Sequence, residues 1–181
     1  MIQKINKKLT IGGLCSGVGG IELGFKNAGF KISWANDMDA HAMKTYNSII
    51  GANHYIGKKS MKISDITINH SSELTHVNVL AAGFPCQAFS IAGERRGFKD
   101  ARGTVIWDII ELLKKIPKNK DGNGPDVIFL ENVKNFKTHN KSDTYNRIEK
   151  KLYEMKYSVY TDILNTAQYT TIPQNRERVW I

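Results

Sequence analysis

Cysteine is scarce in this sequence. Cys15 and Cys86 are the two among 181 residues, far apart and in no metal-ligand pattern. That scarcity fits a reducing, cytoplasmic compartment and gives no reason to expect a metal. Five histidines are scattered, none placed as a ligand would be. Long apolar runs are missing too. No stretch is long enough to cross a bilayer, and residues 1–10 hold no signal-peptide apolar core, so no membrane partner is expected. Repeats and low-complexity tracts do not stand out. Acidic residues are in deficit: 17 Asp and Glu face 26 Lys and Arg, a net charge of +9. That balance suits a polyanionic partner such as nucleic acid, or a lysine-rich solvated surface.

What is present reads as one α/β domain. The length allows a real core, and 41% hydrophobic with 24% charged residues is ordinary for a globular chain. Residues 9–15 read as a first strand, weakened by Gly12 and Gly13. A tight turn follows at Ser16-Gly17-Val18-Gly19-Gly20. Ile21, Gly24, Phe25 and Ala28 then recur at helical spacing, with Gly29 suited to end the helix. Residues 30–36 read as a second strand, ending in Asp37-Met38-Asp39 before a helix over 40–50. Strand, glycine turn and helix form the first half of a nucleotide-binding unit, and an acid ending the second strand can accept from ribose hydroxyls. The turn lacks the Gly-x-Gly-x-x-Gly spacing of a dinucleotide site.

The chain continues in the same alternation. Residues 51–62 form a basic loop. Residues 77–82 read as a short buried strand, 104–116 as a helix, 117–125 as a surface loop and 126–130 as another buried strand. Residues 142–155 are amphipathic, with Tyr145, Ile148, Leu152 and Met155 on a core-facing stripe. Residues 157–164 and 178–181 read as the last strands. Alternating strands and helices predict a parallel sheet flanked by helices.

The chemistry centres on Gly83-Phe84-Pro85-Cys86-Gln87. Gly83 and Pro85 stop the preceding strand, and Pro85 biases Phe84 toward extended backbone. Cys86 is then held on a stiff turn beyond a strand's carboxyl end, where open α/β sheets bind ligands. A free cysteine is often a small buried hydrophobe. Here a polar, basic loop follows, carrying Arg95, Arg96 and Arg102, and nearby positive charge favours the reactive thiolate. Glu131 follows an apolar strand directly. A carboxylate there needs a partner, such as Lys134, or a raised pKa that lets it share a proton.

These stretches, in order, resemble the DNA cytosine-5 methyltransferases. Pro85-Cys86-Gln87 resembles that family's catalytic motif. Leu14-Cys15-Ser16-Gly17-Val18-Gly19-Gly20 resembles its methyl-donor loop, Asp37 its ribose acid, Ser64-Asp65-Ile66 its third donor motif, Glu131-Asn132-Val133 its acid motif, and Gln174-Asn175-Arg176-Glu177-Arg178 its Gln-x-Arg-x-Arg motif. Two departures stand out. The family usually has Asp where Gly13 stands, and Phe, packed on the donor's adenine, where Cys15 stands.

The resemblance implies S-adenosylmethionine as cofactor, and a mostly parallel Rossmann-like methyltransferase sheet flanked by helices. It implies donor binding by Cys15, Gly17, Val18, Gly19, Gly20, Asp37, Met38, Asp65, Ile66, Gly83 and Pro85. Cys86 is the implied nucleophile at carbon 6 of cytosine, Glu131 the acid at N3, and Arg178 the hydrogen bond to O2, supported by Arg176. The base must leave the duplex to react. Gln87, Ser90, Arg95, Arg96 and Arg102 lie in the loop expected to close over it beside phosphates. Double-stranded DNA is the implied partner, within a restriction-modification system. An RNA cytosine-5 methyltransferase of the same architecture is the alternative. The sequence stops at Ile181 within an apparent strand, and no target-recognition region is found. Residues 1–181 are therefore expected to be a catalytic domain incomplete at its C-terminus: an inactive donor-binding fragment, or one subunit of a split enzyme with a second polypeptide that reads the target.

Overall fold

The computed structural model describes residues 8–85, 105–118 and 124–181. Among these residues, six strands and six α-helical segments run in the order β1 (Thr10–Leu14), α1 (Gly20–Asn27), β2 (Lys31–Asn36), α2 (Ala40–Ile49), α3 (Ile63–Asp65), β3 (Val79–Gly83), α4 (Val105–Leu113), β4 (Val127–Val133), α5 (Asp143–Glu154), β5 (Asp162–Asn165), α6 (Thr166–Tyr169) and β6 (Glu177–Trp180). The strand order is β2-β1-β3-β4-β6-β5, the mostly parallel α/β sheet that the alternation predicts. No helix among the described residues is long and apolar enough to cross a membrane. The chain forms two compact units, Met1–Gly83 with Trp107–Phe129, and Phe84–Ile106 with Leu130–Ile181.

In the first unit β1 is the central strand, parallel to both β2 and β3. Parallel neighbours need crossovers, and α1 supplies the one from β1 to β2. The core gathers Ile11, Ile32, Ala35, Tyr46, Ile50, Tyr55, Val79 and Ala81. Phe25 on α1 meets Phe30 and Phe129 edge-on, with ring centres 5.0 and 5.5 Å away. Asp39 caps α2, its side chain accepting from the His41 and Ala42 amides at 2.7 and 3.3 Å. That satisfies two of the amides a helix start leaves open.

In the second unit β6 runs antiparallel to β4 on one side and β5 on the other. Tyr145, Ile148 and Leu152 of α5 are buried, as their spacing predicts. Phe84 and Phe136 are buried edge-to-face, 5.2 Å between centres.

Three boundaries differ from the sequence reading, each for a tertiary reason. β4 does not stop at Leu130 but runs through Glu131-Asn132-Val133, because β6 pairs with those three residues. Gly83 is the last residue of β3 rather than its stop. Residues 157–161 alternate like a strand, yet only Asp162–Asn165 form one, because those four face β6.

Candidate functional site

Two constellations of the expected residues lie among those described, one in each unit. The first surrounds the turn after β1. Gly19 adopts φ 92°, and a Cβ there would press on Ile50 and on the Tyr46 ring at 2.7 to 3.0 Å, so the turn can pack this closely only on glycine. Gly20 then opens α1. The turn is tied to the end of β2. The Ser16 amide donates to the Asn36 carbonyl at 2.9 Å, and the Gly17 amide to Asp37 Oδ2 at 2.7 Å. The other Asp37 oxygen accepts from the Asp39 amide at 2.8 Å. Sequence reasoning gave Asp37 to a ribose alone. The structure gives its carboxylate two backbone partners as well, so it shapes the turn.

Val18 and Met38, one residue beyond each end of the Gly17–Asp37 bond, are 51% and 64% exposed. Apolar side chains left open beside a polar turn suit a flat, partly apolar ligand. The segment with Asp65 and Ile66 is anchored to the same strand end. The Asn36 amide group donates to the Met61 carbonyl at 2.8 Å, and the Met61 amide to the Asp37 carbonyl at 3.0 Å. Ile66 is fully buried there, while Asp65 is exposed. Gly83 ends β3.

Cys15 sits in the turn with a left-handed φ of 51°, uncommon for a residue with a Cβ. Burial first, then the Asp37, Asp108 and Glu22 carboxylates, push its thiol up to about 12. It stays protonated at neutral pH and cannot serve as a nucleophile.

The second constellation is built on the β4–β6 ladder. Val133 faces Arg178 and Glu131 faces Trp180, so Glu131 and Arg178 are diagonal neighbours on one face. Arg178 Nε lies 3.0 Å from Glu131 Oε1, and Arg176 Nη2 lies 3.8 Å from the same oxygen. Lys134, the partner offered by the sequence, pairs instead with Glu177 at 2.9 Å. The cost of a partly buried carboxylate is therefore met by the arginines of the Gln-x-Arg-x-Arg stretch.

Asn132 points to the other side and is 2% exposed. Its side-chain amide donates to the Phe84 carbonyl at 3.2 Å, and its oxygen accepts from the Val133 amide at 2.8 Å. This fixes the backbone that enters Pro85. The Glu-Asn-Val motif contains Asn132, but nothing in the sequence around it indicates this bond. Cys86, Gln87, Ser90, Arg95, Arg96 and Arg102 lie outside the described residues. Among the described residues no cluster of side chains is arranged to hold a metal ion.

A family model described as C-5 cytosine-specific DNA methylase matches residues 9–181. The chain belongs to that family. Members similar to it include the type II methyltransferase M.Bsp6I of Bacillus sp. (strain RFL6), 39% identical over 96% of this chain and 51% of the relative. M.HhaI of Haemophilus parahaemolyticus is 34% identical over 100% of this chain and 51% of its own. The chain thus spans about half the length of these curated methylases. Among solved structures, S. pombe Dnmt2 methyltransferase shares the fold with a TM-score of 0.70 at 22% identity, over 96% of this chain and 48% of that one. The Entamoeba histolytica methyltransferase EhMeth does so at 0.69 and 22%, over 96% and 52%.

The two backbone amides held by Asp37 sharpen an expectation for this family member. Asp37→Ala removes the acceptor of two backbone amides together with the proposed ribose contact. S-adenosylmethionine binding should weaken by roughly 1–3 kcal/mol, the cost of unpaired polar groups. Titration calorimetry measures this, and equal affinity in the variant would remove Asp37 from the donor site.

Proposed function

We propose that this chain carries the donor-binding and chemical residues of a DNA cytosine-5 methyltransferase of the type II restriction-modification kind. The observation that carries the reading is the pairing of Glu131 with Arg178 and Arg176 across β4 and β6. It places an acid beside two fixed cations, as protonation and anion stabilisation on a pyrimidine ring require.

The turn fits S-adenosylmethionine. It offers close backbone approach at Gly19, an acid at the end of β2, and the open apolar side chains of Val18 and Met38. When bound, this cofactor supplies an electrophilic methyl group. Asp37 would hold the ribose, and Asp65 the adenine amino group.

The remaining tasks fall to the chain's own residues. Carbon 5 of cytosine is a poor nucleophile. A Cys86 thiolate adding to carbon 6 turns the ring into an enamine, and Glu131 shares a proton with N3 as charge develops there. Arg178 donates to O2, with Arg176 beside it. Loss of the carbon-5 proton after methylation expels the thiolate and restores the ring. Asn132 holds the Phe84 carbonyl, next to Pro85 in the chain.

The test offers labelled S-adenosylmethionine with mixed-sequence DNA or with transfer RNA. Label on carbon 5 of DNA cytosine supports the proposal. Label on transfer RNA alone would replace DNA by RNA as substrate.

A further inference from the structure

Around the glycine turn lie buried polar atoms to which the donor reading gives no task. Glu22, in the first turn of α1, is 2% exposed, and its Oε2 has no hydrogen-bond partner. The hydroxyls of Tyr46 and Tyr55 are also buried without one. Buried polar groups are almost always paired, because leaving them bare is costly. Of these atoms Glu22 Oε2 belongs to a group that can carry charge, and no partner among the described residues meets it.

The position of Glu22 says which charge. A Cβ built on Gly13 would collide with Glu22 Oε1 and stand 2.7 Å from Ser16 Oγ. The Glu22 carboxyl therefore fills the space that a side chain at position 13 would take. Asp37 and Asp65 take the nucleoside side of a ligand laid across the turn. The opening amides of α1 suit a carboxylate. The ammonium of an amino-acid end remains for Glu22.

Resting on the donor reading above, we propose that Glu22 is the counter-charge of the donor's ammonium, and that it selects ligands carrying the amino-acid end over the bare nucleoside. Burial pushes the Glu22 carboxyl up, opposed by the Ser16 hydroxyl and reinforced by Asp37. An arriving cation favours the ionised form, and the interaction is strong where water is excluded.

Calorimetry with three ligands tests this: S-adenosylmethionine, S-adenosylhomocysteine and 5′-methylthioadenosine, which lacks the ammonium. Glu22→Gln keeps the shape, and circular dichroism checks its fold. It should bind the first two about tenfold more weakly and the third unchanged, the scale of one charge-assisted hydrogen bond. Equal loss for all three ligands, or none, overturns the proposal. Failure of the unmodified chain to bind any of them overturns the donor reading instead, and this inference with it. The second variant joins Gly13→Asp to Glu22→Ala, placing the acid in the space Glu22 vacates. It should regain the preference for S-adenosylmethionine over 5′-methylthioadenosine. A folded double variant without that preference puts the charge elsewhere.

Discussion

A Cys86→Ser chain should form no denaturation-stable complex with DNA containing 5-fluorocytosine, in an assay where the unsubstituted enzyme is trapped. Fluorine at carbon 5 cannot leave as the proton does, so an adduct once methylated has no way to expel the sulfur. The trap therefore reports the carbon–sulfur bond directly. Turnover on ordinary DNA should fall on the order of 10⁶-fold, the scale on which removing a catalytic nucleophile acts. Cys15 gives an internal control. Its thiol, pushed up to about 12 by burial and by neighbouring carboxylates, stays protonated. At saturating S-adenosylmethionine, Cys15→Ala should leave the trapped complex intact. A complex that persists in Cys86→Ser and disappears in Cys15→Ala would reverse the assignment.

Glu131→Gln should lower turnover by roughly 10²–10⁴-fold, the range of a general acid, while S-adenosylmethionine affinity stays nearly constant. The amide keeps the shape of the carboxyl and can still accept from Arg178 Nε, now 3.0 Å from Glu131 Oε1. It cannot offer an acidic proton to a ring nitrogen. Donor affinity should hold because the turn, Asp37 and the Met61 segment belong to other stretches of chain. Single-turnover methyl transfer with calorimetry of the donor separates the two effects. Near-normal turnover in the variant would move the acid to another residue, and a large loss of donor affinity would make the site's packing the cause.

Much of this arrangement is legible in the residues because it is local. The glycine turn, the acid ending β2 and the Asp39 cap are set by neighbours in sequence, and each lies where its pattern places it. What escaped depends on partners far along the chain. Nothing near Glu131 says that β4 continues past Leu130, since the extension is made by β6. Residues 157–161 have the alternation of a strand but lie outside β5. Glu22 reads as an ordinary acid in a first helical turn, and only its approach to Gly13 gives it meaning. Asp37 shows the opposite case. Its pattern suggested a ligand role, and the structure adds two backbone amides that the pattern could not show.

The ladder that joins Glu131 to Arg178 also sets an order of events as the chain folds. β1, α1 and β2 follow one another closely, so the donor turn closes over a short length of chain. The acid and its arginine meet only after β6 has returned from far downstream to pair antiparallel with β4. Contacts between distant segments carry the larger loop-closure cost and form more slowly. Register matters as well, because a slip of one residue would turn Arg178 to the opposite face of the sheet. During synthesis the turn that would cradle the donor can therefore close before the arginines have been made, and the pair that would act on a base forms later.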